Sequence, residues 1–185
     1  MEKKLKIVIS GAAETSHCSE KVNEFAYEIG KYLAMNDVIT ITGATTGSPF
    51  WAAKGAFENG GYVIGVSPAI DEKEHIEVYN LPTDYHHLIF YTGFGHSLRN
   101  LILVRSGDGV IFVCGRTGTL NEFVISYEEK KPMGILLNSG GEEKYMAEIV
   151  KESHKEHNKI IWESDPQKLV EKIINLIKNE RYSNN

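Results

Sequence analysis

Gly109-Val-Ile-Phe-Val-Cys-Gly-Arg-Thr-Gly-Thr-Leu-Asn-Glu122 joins an unbroken apolar run to a glycine-rich turn and then to a helix-forming segment. Residues 110–113 have the continuous apolar character of a strand covered on both faces, which is how a strand of a parallel sheet reads. The turn Gly115-Arg-Thr-Gly-Thr119 leads into a helix expected over residues 120–129 and closed by Lys131-Pro132. Strand, glycine turn and helix in that order are the opening of a βαβ unit.

The same alternation extends in both directions. Upstream, strands are expected at residues 5–10, 38–42, 62–66 and 87–91, with the quoted strand at 109–114. A helix over residues 19–35 carries Val22, Phe25, Ala26, Ile29 and Leu33 on one face. Ser48-Pro49 offers an N-cap and a first-turn proline to a second helix, which ends at Asn59-Gly60-Gly61. Residues 67–85 turn polar around Pro68 and Pro82 and read as an irregular connection with at most a short helix; a further helix covers about 96–104. Downstream come a strand at 133–137, a helix at 142–154, a short strand at Ile160-Ile161 and a last helix capped by Asp165-Pro166 and running through Ile177. The expected fold is therefore α/β: a Rossmann-like, doubly wound, mainly parallel sheet of about six to seven strands with helices on both faces. Residues 1–180 form a single nucleotide-binding domain in this reading, and 181–185 a frayed tail.

Composition sets the outer limits. At 185 residues and 42% hydrophobic content, the chain can bury one sizeable core. A formal charge of -5 gives no basic stripe for nucleic acid, so none is expected as a partner. No segment has the roughly 20 apolar residues of a membrane span, and the lysine-bearing N-terminus is too short for a signal sequence, so the expected location is cytoplasmic. The two cysteines, Cys18 and Cys114, lie far apart without metal-ligand spacing and fit reduced thiols better than a disulfide framework. Cys114 reads as a small core residue rather than a nucleophile. The histidines have no metal spacing either, so neither a metal nor a cofactor is expected.

In an open parallel sheet the ligand lies beyond the carboxyl ends of the strands. The residues there are Gly11, Gly43 with Thr46 and Gly47, Ser67, Gly95 with His96, and the turn of Gly115, Arg116, Thr117, Gly118 and Thr119. Glycines let the backbone approach an anion, and exposed amides with the helix dipole favour a phosphate, although a tight βα turn also uses glycine for conformation alone. Glu122 has two readings: Thr119-Leu-Asn-Glu122 spells a capping box, and the same spacing aims the carboxylate at a ligand on the turn, kept ionised by the helix N-terminus. Arg99 and Asn100 read either as ligand contacts or as polar surface residues, Arg99 pairing there with a carboxylate; His96 is a helix residue, a ligand contact or an acid.

These residues resemble the LOG (Lonely Guy) family, within the DprA-related Rossmann proteins. The family hallmark Pro-Gly-Gly-x-Gly-Thr-x-x-Glu aligns with Cys114-Gly-Arg-Thr-Gly-Thr-Leu-Asn-Glu122, the preceding arginine helix with Ser97-Leu-Arg99-Asn100, and an earlier glycine turn with Thr42-Gly-Ala-Thr-Thr-Gly47. The resemblance implies a homodimer that hydrolyses the N-glycosidic bond of a nucleoside 5'-monophosphate to free base and ribose 5-phosphate. Arg99 and Glu122 would be its catalytic pair, with Gly115, Gly118 and Thr119 at the phosphate. Some relatives imply instead a non-catalytic carrier of a nucleotide or phosphate-bearing cofactor, such as the molybdenum cofactor. Cys114 stands for the hallmark proline, Arg116 for its second glycine, Ala44 for a glycine of the earlier turn and Asn100 for a lysine after the arginine, which places the chain nearer an uncharacterised LOG-like subgroup. At 116, a side chain would be strained if the turn needed positive φ, or the arginine could instead supply charge to a phosphate.

Overall fold

The computed structural model describes residues 3–154 and 157–183. Strands and helices alternate along them: β1 (Lys6–Gly11), α1 (Val22–Met35), β2 (Ile39–Thr42), α2 (Ser48–Glu58), β3 (Val63–Ser67), α3 (Glu72–Glu77), β4 (Leu88–Tyr91), α4 (Gly95–Ser106), β5 (Gly109–Val113), α5 (Thr117–Glu128), β6 (Met133–Leu136), α6 (Glu143–Glu152), β7 (Ile160–Glu163) and α7 (Pro166–Ser183). All seven strands join one sheet in the order β4-β3-β2-β1-β5-β6-β7, and each pairing is parallel. The fold is the doubly wound Rossmann-like one.

Burial accounts for the apolar character of the strands. β5 is buried along its whole length, because β1 and β6 flank it while helices cover both faces. On one face Ile7, Ile9, Ile111 and Val113 pack with Ile29 and Leu33 of α1 and with Ile173 and Ile177 of α7. On the other, Val8, Val110 and Phe112 pack with Leu103 of α4, Phe123 of α5 and Met146 of α6. The period of two along β1 and β5 thus divides their side chains between the layers. Small residues let α1 and α2 touch closely: a Cβ on Gly30 would lie 2.0 Å from the Ala52 carbonyl oxygen, and one on Gly55 2.0 Å from that of Tyr27.

The chain winds outward from β1 to β4, then crosses back to β5 on the far side of β1 and winds the other way. The loops after β1 and β5 therefore part to opposite faces, which opens a crevice at their carboxyl ends.

Several expectations need correction. α5 starts at Thr117, so Arg116 is its N-cap and Thr119 lies within its first turn. Ser48 is likewise inside α2, whose N-cap is Gly47. α7 continues to Ser183, so residues 181–183 of the expected frayed tail are helical; 184–185 lie outside the described residues. Cys18 and Cys114 are not free thiols but a disulfide across a sequence separation of 96. Adjacency of β1 and β5 sets the loops that succeed them side by side, a nearness that separation in sequence conceals. Among the described residues, no helix is long and apolar enough to cross a membrane.

Candidate functional site

At the crevice the ends of β1 and β2 and the first turns of α4 and α5 enclose a cleft of about 240 Å³. Ser10, Gly11, Gly43, His96, Arg99 and Glu122 line it. Arg99 sits in the second turn of α4 and is only 6% exposed. Its guanidinium lies against Gly43, where a Cβ would come 1.9 Å from Nη1, so the glycine at 43 is what makes room for the arginine. Arg99 Nη2 reaches His96 Nδ1 at 3.4 Å, and Nε has no hydrogen-bond partner. Burial pulls its pKa down and the charge of Glu122 opposes that pull; starting so high, the group remains a cation at neutral pH. Arg99 is therefore not a surface arginine paired with a carboxylate.

Glu122 of α5 is equally buried and faces the same cleft. Ser10 Oγ donates to its Oε2. In the amide orientation that matches donors to acceptors, Asn100 Nδ2 donates to Glu122 Oε1 at 2.9 Å and to the His96 carbonyl at 3.0 Å. Because α5 begins early, Glu122 lies in its second turn, out of the N3 place a capping box requires. Burial pushes its carboxyl above the usual value, against the lowering influence of Arg99 and Ser10. Burial thus works against the ionised carboxylate that the helix N-terminus is expected to favour. His96 is held below its usual value by burial first and by Arg99 second, and is neutral at pH 7.

The connection between β5 and α5 turns sharply through Cys114 (φ 52°) and Gly115 (φ 158°). A Cβ on Gly115 would collide with the Thr119 side chain at 2.6 Å. Arg116 has φ -132°, a conformation open to any residue, so the hallmark glycine is not needed there. Its side chain reaches back to Glu14 of the β1–α1 loop. No side chain caps α5, which leaves the first-turn amides of Thr117, Gly118 and Thr119 without intrahelical partners. Gly118 lines the cleft, and a Cβ there would meet nothing within 4 Å.

Of the residues singled out in the sequence, Gly11, Gly43, His96, Arg99, Arg116, Gly118, Thr119 and Glu122 converge on the cleft. Six others do not line it. Ser67 is occupied with His75 and the Ala69 amide, Thr46 donates to the Ala13 carbonyl, and Gly47 packs against the Ala12 carbonyl. Gly95 opens α4, while Gly115 and Thr117 belong to the turn without facing the cleft. Among the polar lining residues that the sequence reading does not single out, the end of β1 could have marked Ser10, whereas Glu14, in an irregular loop, carries no signal. His17, Cys18 and Cys114 place ligand-type atoms within 4.8 Å of one another, but the disulfide leaves no thiolate to hold a metal.

The model of the SLOG cluster4 family matches residues 4–170. An uncharacterized protein of Archaeoglobus fulgidus is 32% identical over 132 residues, 71% of this chain and 82% of that protein. The molybdenum cofactor binding protein of Rippkaea orientalis superposes with a TM-score of 0.79 at 25% identity, covering 96% of this chain and 99% of that one. The Moco carrier protein of Chlamydomonas reinhardtii gives a TM-score of 0.77 at 26% identity, with 96% and 99% covered.

Proposed function

Because the chain belongs to the SLOG cluster4 family, an uncharacterised LOG-like subgroup, we propose that its cleft binds a nucleoside monophosphate or a related phosphate-bearing small molecule. The observation that carries this reading is Arg99, a cation 6% exposed whose Nε has no partner and whose side chain lines the cleft. A buried cation with a donor left unfilled is costly, so a site that retains one is suited to receive an anion. The uncapped α5 amides supply further donors on the same side, with the positive end of the helix dipole behind them. Binding of AMP by calorimetry tests this, with Arg99→Ala as the control that loses it.

Two finer readings attach to the same cleft. Hydrolysis of the N-glycosidic bond is favoured by Glu122, since a carboxyl raised by burial and fixed by Ser10 and Asn100 is poised to exchange a proton with the departing base. Once ionised it would face the positive charge that develops on the ribosyl ring and orient water, while Arg99 holds the phosphate. Carriage without turnover is favoured by the likeness to the molybdenum cofactor proteins of Rippkaea orientalis and Chlamydomonas reinhardtii. Measuring free base released from AMP separates them: release that stops in Glu122→Gln supports the hydrolase, and bound ligand recovered intact supports the carrier. A homodimer belongs to the same proposal. Leu88 and Phe90 of edge strand β4, with Phe94 and Leu98 at the start of α4, are exposed apolar side chains that a second copy would cover. Light scattering after gel filtration measures it.

A further inference from the structure

The Cys18–Cys114 disulfide lies at the edge of the cleft. Cys114 directly follows β5 and opens the phosphate-type turn; Cys18 belongs to the loop between β1 and α1, whose residues Ala12, Ala13 and Glu14 line the cleft. Cys114 is 3% exposed, whereas Cys18 is half-buried and reachable from solvent. His17 stands over the bridge, its Nε2 3.8 Å from Cys18 Sγ, 3.7 Å from Cys114 Sγ and 3.0 Å from the Gly115 carbonyl oxygen. Since Cys114 takes the place of the hallmark proline, the crosslink is a property of this chain and not of the hallmark.

We propose that Cys18–Cys114 is a redox-active disulfide, opened by an external dithiol, and that its reduction frees Glu14 from Arg116 and makes the turn accessible to an anionic ligand. A reductant thiolate attacks the accessible Cys18 Sγ, the S–S bond breaks, and Cys114 leaves as a thiolate that the His17 imidazole stabilises by proton donation. The second thiol of the reductant then attacks the mixed disulfide at its own sulfur, releasing the Cys18 thiolate, which takes up a proton. Two electrons and two protons pass to the protein, and the reductant departs as its own disulfide.

The anchoring of the loop determines how far reduction loosens it. The Ala12 carbonyl accepts from the Ser48 amide, the Ala13 carbonyl from Thr46 Oγ1, and the Ser19 amide donates to the Ser139 carbonyl. These bonds survive reduction. Between them, residues 14–18 are held by the disulfide, by an isolated antiparallel bridge between Cys18 and Gly140, by the exposed Glu14–Arg116 pair and by the contact of His17 with Gly115. With the bridge intact, the Glu14 carboxylate is pinned beside Arg116 at the cleft, where it neutralises that cation and repels phosphate. Opening the bridge lets the carboxylate swing into solvent.

This inference rests on the phosphate reading, and its test separates the two. The full chain is compared with and without dithiothreitol, in chelator and without denaturant, by thiol alkylation, amide exchange and AMP binding. Both cysteines should become alkylatable in the folded protein, exchange should accelerate over residues 14–18, and AMP should bind about tenfold tighter when reduced. Cys18→Ser should bind AMP like the reduced protein in either buffer, and His17→Ala should slow the reduction near neutral pH. A bridge that resists dithiothreitol until the protein unfolds, unchanged exchange over 14–18, or equal, measurable AMP affinity in both states overturns the proposal. Faster exchange with AMP bound in neither state upholds the redox release and counts against the phosphate reading instead.

Discussion

Arg99 is held where it is by a glycine. The guanidinium occupies the space a side chain at 43 would fill, and nothing the described residues offer satisfies Nε. Arg99→Met should therefore stabilise the empty protein by about 1–3 kcal/mol, since it removes a buried cation with an unfilled donor while keeping most of the volume, and should abolish any rise in Tm with AMP. Thermal melts with and without AMP measure both. Glu122 gives a pH signature. Its carboxyl is raised in the folded state, so native protein binds the proton more tightly than unfolded chain does. The resulting stabilisation is complete below the unfolded value near 4.5 and is lost as pH rises through the folded one. Glu122→Gln lacks this loss, so the Tm difference between variant and wild type, taken without ligand, should grow in the variant's favour from pH 5 towards neutrality. Residue types and spacing mark both side chains in the sequence. Their environment is not legible there, because burial is set by packing between α4 and α5, and so the capping box is a wrong reading of a residue that does line the cleft, and the burial that raises its carboxyl goes unforeseen.

At the scale of the element, α5 begins without a side-chain cap although its N-cap residue, Arg116, has the extended backbone that a capping serine adopts. Arg116→Ser should add about 1 kcal/mol to stability by accepting from the Gly118 or Thr119 amide, as the exposed Glu14–Arg116 pair it gives up is worth little. The same change should weaken AMP binding, because the cap takes an amide the ligand would use and removes a cation. Paired melts and titrations measure the trade. Strands are legible almost to the residue, since continuous apolar runs such as 110–113 leave no other place for themselves than the middle of the sheet. Helix starts are less so. Thr119 and Ser48 look like N-caps, yet Arg116 and Gly47 take those places, because the tight turns after β5 and β2 start the helices sooner than side-chain preference would.

Across the whole molecule the winding reverses between β1 and β5, and that reversal both opens the cleft and brings Cys18 to Cys114. Closing a loop of such length restricts the unfolded chain, so reduction, or Cys18→Ser, should lower stability by about 2–5 kcal/mol. Denaturant melts of oxidised and reduced protein provide the comparison. The alternation of strand and helix makes the fold readable from the sequence, whereas the disulfide is not, because it depends on which loops the topology sets side by side. The cleft stands at this same reversal, where Arg99 lies buried beside Glu122 with its Nε unfilled. Calorimetric titration of AMP into the reduced protein at low salt, with Arg99→Ala in parallel, tests its purpose most directly. Saturable binding by the wild type that the variant loses is the expected result; no binding by the wild type, or equal binding by both, would contradict an anion site built around Arg99.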